Sequence, residues 1–559
     1  MDSRTCGDRD TDDGQHKGNE TEEYSRFSRS ELIDQIKRLK SQLDQQQQGT
    51  HDDKTITSLK TTTAKTNEKK KKKGLDFDAY PKRKIALMIS YEGGLHGGLA
   101  WQPEKTRQST VEGELFRALM VARLVEGRTG SSTRVDMSDV NFDDSEEEWR
   151  GLVDMKGWGY SRAGRTDAGV SGCGQVVSLW VRSRLTRMAP GACGFRAPIQ
   201  PSSTWSDEAR TEGSRRTEEG AAAEEEEEEE LGYHTMLNSI LPASVRVVAW
   251  SPVHEDFDAR FSCRARHYKY FFSLYETPLA PALNIEAMRC AASKLVGEHD
   301  FRNLCRIDPS KQLNNFRRRI LSAEIHGVVD QDGGRPYAHT GPHHATGPVY
   351  PEALWPKTNR LFVLDLVGTA FLYNMVRHIM AVLFLVGSGQ ERPTVIERLL
   401  YTDGRDVVPR SLREEEMAGG EKVEAIDRKP EYCHASALPL LLYRCEYPEG
   451  SFRWVCTPVG SARPGSAERF VGWSCARIRA QLAFHLLPSP PVIPESPVVP
   501  QSSNTTTTRF FSPTGAATTQ SSSSYLPVIR RPRAPHFSTI NALWWNKVGL
   551  RRAAKPHLA

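Results

Sequence analysis

The chain has 559 residues, of which only 38% are hydrophobic, and polar low-complexity tracts lie at both ends and in the middle. Its 75 Lys and Arg residues nearly balance 70 Asp and Glu residues, but an acidic run at 224–230 cancels basic charge elsewhere, so we expect the folded part to be more cationic than the total. The ten cysteines form no C-x-x-C pair and the longest apolar run is short, which argues against a zinc module, a secreted disulfide scaffold and a membrane-spanning protein.

Residues 1–74 are predicted to be mostly disordered, because they are dominated by Gln, Lys and Thr tracts. Within them, residues 30–39 carry apolar side chains at helical spacing, which predicts a short helix or coiled coil. The lysine run at 69–73 is typical of a nuclear signal or an RNA-binding tail, and equally of a solvated linker. The acidic start lacks an apolar stretch, so we expect neither a secretory signal nor a transit peptide.

The first ordered strand is predicted at residues 84–91, where an apolar run stops before Gly93. A helix should follow, because Ser109 and Glu112 have the spacing of a capping box ahead of an apolar stripe. Similar patterns predict strands at 175–181, 245–250, 268–275 and 361–368, and helices at 285–296 and 371–386. Strands and helices that alternate with long connections indicate an α+β sheet platform.

Three stretches of biased composition interrupt this pattern and are predicted to be surface insertions, at about 189–230, 330–357 and 402–432. His343 and His344 lie in the second of them and reflect loop composition rather than a metal site. From about residue 449 to 559 the Ser, Thr and Pro content rises, which predicts a low-complexity or weakly ordered tail.

The segment at residues 160–170, YSRAGRTDAGV, carries the most informative chemical pattern. Glycines flank Arg165, Thr166 and Asp167, so we expect a tight loop that presents one carboxylate beside one guanidinium. Arg165 should lower the pKa of Asp167 and hold it ionised, as a nucleophile requires. From the residues alone, however, the favoured interpretation is an Asp that caps backbone amides in a glycine-rich turn.

This loop resembles the A-G-R-T-D-A-G-V signature of pseudouridine synthases related to the bacterial tRNA pseudouridine synthase A. Three further landmarks follow in the family's order: F-x-A-R-F-S-x-x-x-R-x-Y-x-Y at 257–270, a G-x-x-D-F turn at 297–301 and an M-V-R helix at 375–377. Together they cover roughly residues 80–447. The resemblance implies that Asp167 is the catalytic aspartate.

The same resemblance assigns roles to other residues. Tyr268 matches the tyrosine that packs on the target uracil, and Arg377 matches the arginine that pairs with the catalytic aspartate. Arg165, Thr166 and Arg162 are implied to bind substrate, with Arg165 holding the flipped nucleotide.

Each role has a structural alternative. Tyr268 could be an ordinary strand aromatic, since Tyr270 and Phe272 alternate with it on one face. Arg377 lies in an otherwise apolar helix, where it either faces solvent or pairs with a buried carboxylate. The basic and aromatic stretch 260–270 suits a phosphate backbone with stacking sites, and the arginine run 317–319 suits either that backbone or a solvated charged face.

The implied fold is the pseudouridine synthase fold. It consists of two sheet-plus-helix subdomains, at residues 75–255 and 256–448, which form one central, mostly antiparallel sheet with an RNA-binding cleft. The segments that point to a branch are 77–78, 98–102, 300–305, 370–373 and 439–443. They resemble the eukaryotic branch that modifies positions 38 and 39 in the tRNA anticodon stem-loop, although Ala168 stands where that branch usually carries Lys.

The implied function is the isomerisation of uridine to pseudouridine in tRNA, with no metal and no cofactor. Bacterial relatives are homodimers that hold tRNA across both subunits, so we expect a homodimer, in the nucleus, the cytoplasm or both. Two alternatives stay open. One is a non-catalytic tRNA-binding protein or chaperone with the same fold, and the other is a scaffold that acts through its long tails.

Overall fold

The computed structural model describes most of the chain between residues 75 and 456 and a C-terminal segment: 75–128, 134–135, 146–185, 194–198, 230–274, 282–328, 361–420, 422–456 and 525–553, with single positions at 140, 142, 472, 474 and 476. The predicted helix at 30–39 and the lysine run at 69–73 lie outside these residues. So do the stretch 330–357 and nearly all of 189–230.

The described residues form twelve strands: β1 (Lys82–Tyr91), β2 (Gly127–Arg128), β3 (Arg134–Val135), β4 (Ser161–Arg162), β5 (Ser171–Arg182), β6 (Phe195–Arg196), β7 (Val245–Pro252), β8 (Ala265–Ser273), β9 (Gly297–Asp300), β10 (Arg317–Gly327), β11 (Leu361–Gly368) and β12 (Leu440–Glu446). Ten of them make one sheet in the order β6-β1-β5-β12-β8-β11-β10-β9, with β4 beside β5 and β7 beside β1. The strands β2 and β3 pair separately. The predicted α+β sheet platform is confirmed.

One parallel pairing joins the two halves of this sheet. The strands β5 and β12 run parallel, with Leu441 opposite Ser171 and Leu442 opposite Gly172, whereas the other paired strands are antiparallel. We call this β5–β12 pairing the seam. Because β5 begins at Ser171, the loop that precedes it, with Asp167, lies at the seam.

The helices of the described residues are α1 (Val111–Val121), α2 (Glu146–Arg150), α3 (Tyr233–Asn238), α4 (Ile285–Ser293), α5 (Met375–Gly387), α6 (Val395–Leu400), α7 (Arg410–Met417), α8 (Phe537–Trp544) and α9 (Leu550–Ala553). None of them combines the length and the apolar character that a membrane crossing requires. The helix predicted at 371–386 begins later, at Met375, because Asn374 adopts a left-handed conformation with φ 55° and precedes the first helical turn.

The capping box predicted from Ser109 and Glu112 does not form. The side chain of Thr110 instead caps α1 by accepting a hydrogen bond from the Gly113 amide. The Glu112 carboxylate is fully buried and accepts bonds from the Trp101 amide and the Tyr160 hydroxyl, both at 2.7 Å. The helix was therefore predicted correctly, but from the wrong cap.

Two hydrophobic cores lie on the sheet, one in each half. The first packs β1, β5 and β7 against α1 and α3, around Phe116 and Tyr233. The second packs β8, β10 and β11 against α4 and α5, around Tyr270 and Phe384. Ala163 and Val170, which flank the Asp167 loop, belong to the second core although they precede the seam in sequence.

Two segments pack more closely than the sequence indicates. In the predicted surface insertion at 402–432, Ile426 is buried and its amide donates to the Tyr401 carbonyl. In the predicted weakly ordered tail, Val528 is fully buried in the second core and its amide donates to Glu391. The described parts of both segments thus depart from the sequence-based prediction, because single apolar side chains in a polar context anchor them.

Candidate active site

A tight loop at residues 163–170 presents Asp167 between the antiparallel strands β4 and β5. The Val170 amide donates to the Asp167 carbonyl at 3.1 Å and closes the turn. Gly169 has a φ of 85°, a conformation that side chains other than glycine rarely adopt. The tight loop predicted from the flanking glycines is present, and it holds a half-buried Asp167.

The first half of the sheet anchors this loop through Thr166. The Thr166 carbonyl accepts the Leu99 amide at 3.2 Å, and its buried hydroxyl lies 2.8 Å from the hydroxyl of Tyr91 on β1. Gly98 allows this approach, because an added Cβ would stand 3.2 Å from the Ala168 amide nitrogen. Thr166, predicted to bind substrate, therefore has its hydroxyl engaged in the scaffold.

The second half of the sheet anchors the loop through Arg266 on β8. Its Nε and Nη2 donate to the Ala163 carbonyl at 3.2 and 2.6 Å, and its Nη1 donates to the Thr369 carbonyl at 2.7 Å. A guanidinium with three such bonds is held rigidly. Arg266 belongs to the motif at residues 257–270, which by itself indicates no role for it, and its bonds to both halves of the sheet become visible only in the fold.

The ionisation of Asp167 is set by opposing effects. Burial raises the pKa of its carboxyl group, and the positive charges of Arg377 and then Arg306 oppose that rise. Burial likewise lowers the pKa of Arg377, while the charge of Asp167 opposes the decrease. Among the described residues, no arginine lies within ion-pair distance of Asp167, so these charges act over a longer range.

The expected role of Arg165 in this ionisation is wrong. The Arg165 side chain is exposed and is not among the charges that act on Asp167, whose pKa is raised rather than lowered. Neighbouring residues of the turn point in different directions, and it is Thr166 that points inward. The guanidinium groups that act on Asp167 come instead from residues 306 and 377, in the second half of the chain.

Arg162, also predicted to bind substrate, forms an ion pair inside the first half. Its Nη1 lies 2.5 Å from Oε2 of the buried Glu112. Burial raises the pKa of Glu112, and the charge of Arg162 opposes this rise. Since Glu112 also accepts the Tyr160 hydroxyl, Arg162 belongs to a buried network that supports β4 and α1.

Tyr268 lies close to Asp167, on the central strand β8. Its ring is almost fully buried and meets Phe371 edge to face, with centroids 4.9 Å apart. Burial raises the pKa of its hydroxyl group, and the negative charge of Asp167 adds to the rise. The structure therefore brings Tyr268 and Asp167 together although they are 101 positions apart in the sequence.

Arg377 projects from the first turn of α5 towards the segment that precedes β12. Its Nε donates to the Ala435 carbonyl at 2.8 Å, and its own carbonyl accepts the Ala435 amide at 3.0 Å. The side chain is half-buried, and Asp167 is the first of the groups whose charge offsets its burial. Arg377 thus neither faces solvent fully nor forms an ion pair with a carboxylate among the described residues: it bonds to the Ala435 carbonyl, and Asp167 acts on it at longer range.

Arg306 was not recognised from the sequence. Its amide donates to the Tyr373 carbonyl at 2.9 Å, and its guanidinium carbon stands 5.6 Å from the centre of the Tyr373 ring. It directly follows the segment 300–305 that carries part of the resemblance. That position was the available signal, but only the fold brings Arg306 close enough to act on Asp167.

Comparisons with known proteins identify relatives of this chain. Residues 291–417 match the family model described as tRNA pseudouridine synthase. The tRNA pseudouridine(38/39) synthase of Homo sapiens is 33% identical over 437 residues, which cover 78% of this chain and 68% of the relative. The Bos taurus protein of that name is 33% identical over 69% of this chain and 60% of its own length. That of Saccharomyces cerevisiae is 32% identical over 76% of this chain and 72% of its own length.

Proposed function

The chain belongs to the tRNA pseudouridine synthase family, and from this premise we propose that it isomerises uridine to pseudouridine at positions 38 and 39 of the tRNA anticodon stem-loop. The proposal rests on the residues around Asp167. This half-buried carboxylate lies at the seam, the positive charges of Arg377 and Arg306 act on it, and Tyr268 lies close to it. The curated relatives whose names give positions 38 and 39 supply the choice of uridines.

The reaction requires the target nucleotide to leave the helical stack, at a cost of a few kcal/mol that is lower in a loop or at a stem end. The bond from C1′ of the ribose to N1 of the uracil then breaks. The detached base turns, a bond forms between C1′ and C5, and the hydrogen on C5 leaves as a proton while N1 gains one. Atoms and charge balance within the nucleotide, so the protein supplies only positioning, proton transfer and charge stabilisation.

Asp167 is assigned the central role. It either attacks the nucleotide or removes a proton from the sugar, and both routes require the ionised carboxylate. Burial raises the pKa of Asp167 and so works against ionisation, and the charges of Arg377 and Arg306 offset part of this effect. A carboxylate held in this balance is less hydrated than one in water, and is therefore a better nucleophile or base.

Tyr268 is assigned to the uracil, on which its ring would stack while its hydroxyl group assists proton transfer. Its place beside Asp167, on a rigid central strand, supports this role. Arg165 is assigned to the flipped nucleotide, because its exposed side chain is next but one to Asp167 in the loop. Thr166 and Arg162 act through the loop and its supports rather than by touching the substrate.

The test is to incubate the purified protein with unmodified tRNA and to map pseudouridine at nucleotide resolution. Product at position 38 or 39 would support the enzyme and its branch. Tight binding to tRNA without product, across a broad pool of tRNAs, would support the alternative of a non-catalytic binding protein.

Two further points belong to the proposal. The active form is a homodimer, in keeping with the bacterial enzymes that the chain resembles. Light scattering should give twice the mass of the chain, and a monomeric mass with full activity would contradict the homodimer.

The protein acts in the nucleus, the cytoplasm or both. Imaging of a tagged chain in its own cells would test this, and an exclusively organellar signal would overturn it.

A further inference from the structure

Three cationic side chains close to residues 305–306 and the first turn of α5 have no carboxylate at ion-pair distance in the described part of the chain: Arg306, Arg377 and Lys429. Arg377 is balanced at longer range by Asp167. Arg306 and Lys429 are left with an excess of positive charge. Since a partly buried cation is costly unless an anion compensates it, the charge of the half-buried Lys429 requires an explanation.

Contacts hold Lys429 next to Arg306. The Lys429 ammonium donates to the Cys305 carbonyl at 3.0 Å and lies 2.9 Å from Nε2 of His378. It also stands 4.9 Å from the centre of the Tyr432 ring. Because Cys305 immediately precedes Arg306, the ammonium group is anchored to the peptide that leads into Arg306. The two cations therefore share one small region, bounded by residues 305–306, the first turn of α5 and residues 429–435.

The neighbouring imidazole of His378 adds no charge to this region. Burial, followed by the charge of Lys429, lowers the pKa of His378 to about 2, so its ring is neutral and can accept the Lys429 bond. Burial lowers the pKa of Lys429 to about 8, and the charge of Arg306 contributes to that decrease. Lys429 thus stays mostly protonated at neutral pH while it lacks a counter-ion.

We propose that Arg306 and Lys429 form a binding site for a backbone phosphate of the RNA, on one side of the target nucleotide. The inference rests on the proposed function, since it takes RNA as the ligand. A nucleotide whose sugar reaches Asp167 brings its own phosphates with it, and Arg306 is the exposed cation that acts on Asp167. The planar guanidinium of Arg306 can donate to two phosphate oxygens at once, and the ammonium group of Lys429 supplies a second positive charge.

This site also explains how an anionic substrate approaches an anionic carboxylate. The phosphate would be repelled by Asp167 if it met that group alone. Arg306 and Lys429 lie on the side of Arg377, so a phosphate bound there meets two cations and fixes the sugar relative to the carboxylate. The site is therefore a positioning device for the same reaction.

The first experiment measures tRNA affinity against salt concentration for Arg306→Gln and Lys429→Met. The matched control is Arg428→Gln, which removes the same charge from an exposed side chain 3.5 Å from Asp427. Each phosphate contact that is lost should lower the slope of log affinity against log salt by about 1. The proposal expects this decrease in both test variants and not in the control. Equal slopes in all three would overturn it.

The second experiment identifies the phosphate. A tRNA with one uncharged methylphosphonate, placed on either side of the target uridine, should bind the wild-type protein about tenfold more weakly at one of the two positions. Arg306→Gln should not discriminate at that position, because its partner is already gone. Inorganic phosphate is the competing ligand. Suppose that inorganic phosphate binds at Arg306 and Lys429 while neither methylphosphonate changes the affinity for tRNA. The site then takes free phosphate, and the RNA site is disproved.

These readouts separate the inference from the proposed function. The affinity for tRNA, and its decrease when a methylphosphonate replaces the phosphate, do not depend on turnover. A decrease that is seen in the wild type and not in Arg306→Gln, without any product, would refute the enzyme and keep the phosphate site. Product formation without such a decrease would keep the enzyme and refute the site. Lys429→Met loses two hydrogen bonds, so its fold must be checked by thermal unfolding. Arg306→Gln changes an exposed side chain and gives the result that does not depend on this check.

Discussion

The hydroxyl groups of Tyr91 and Thr166 lie 2.8 Å apart in the interior of the protein. This bond ties β1 to the residue that precedes Asp167. Gly172 makes the bond possible, because a Cβ at that position would stand 2.6 Å from Cζ of Tyr91. The orientation of Asp167 thus depends on a strand that begins 85 positions before it.

The Tyr91–Thr166 bond should affect turnover more than substrate binding. We expect Tyr91→Phe to lower kcat several-fold, with little change in KM, and to lower the free energy of unfolding by about 1 kcal/mol. Thr166→Val should do the same, and the double variant should be little worse than either single variant, because both remove one bond. Additive losses in kcat would show that the two hydroxyl groups act separately.

Arg377 should control the pH dependence of the reaction. Burial raises the pKa of Asp167, so activity falls as pH decreases through that raised value and the carboxylate becomes protonated. Removing Arg377 removes the main opposing charge and raises the pKa further. We therefore expect Arg377→Met to move the acid limb of kcat to higher pH, measured by tritium release from C5 of labelled uridine. The matched control is Arg165→Met, and a shift in the control instead would restore the interpretation that the sequence suggested.

The contrast between Arg165 and Arg377 shows what the sequence could predict at this site. The loop and its carboxylate were predictable, because glycines and a following strand constrain a short segment. The partner guanidinium was not, since closeness in sequence favoured Arg165, whereas the turn directs Thr166 inward and leaves Arg165 exposed. Arg306 and Lys429 carry no periodic signal, and only the packing of distant segments brings Arg306 to Asp167 and Lys429 to the Cys305 carbonyl.

The same distinction holds for the fold. The strand Leu361–Gly368 was predicted with its exact bounds, because an apolar run ends at a glycine. The strand Arg317–Gly327 was missed, because it opens with three arginines and a register shift between Ile320 and Ser322 breaks its alternation. A regular pattern of apolar residues therefore predicts a strand correctly. Where charged residues or a bulge interrupt the pattern, the strand is missed.

His378 should make stability fall in acid. Its pKa is about 2 in the folded protein and about 6.5 when unfolded, so between these values the unfolded chain binds more protons. The stability that it contributes is complete above pH 6.5 and is lost as pH falls, by at most about 1.4 kcal/mol per pH unit. The groups that face His378 are Lys429, His434, Arg377 and Arg306.

His378→Asn keeps a polar side chain at this position but cannot titrate there. Urea unfolding at pH 7.5, 6.5 and 5.5 should therefore show a wild-type protein whose stability falls more steeply than that of the variant. Parallel pH dependences would mean that His378 binds its proton as readily in the folded protein as in the unfolded chain, and would contradict the lowered pKa.

Gly172 should tolerate no side chain. Gly172→Ala places a Cβ against the Tyr91 ring, and overpacking of this kind costs roughly 1 to 3 kcal/mol. Because the ring would be displaced from Thr166, activity should fall as well. Gly404→Ala is the matched control, since nothing lies within 4 Å of the added atom. If both variants unfolded at the same urea concentration, the space beside Tyr91 would not be as tight as the geometry requires.

The catalytic role of Asp167 can be tested most directly by replacing its carboxylate. Unmodified tRNA would be incubated with the wild-type protein, with Asp167→Ala and with Asp167→Asn, and pseudouridine would be mapped at nucleotide resolution beside a measurement of tRNA affinity. We expect product at position 38 or 39 from the wild type alone, with both variants still binding tRNA. Product from either variant at a rate near that of the wild type would contradict that role.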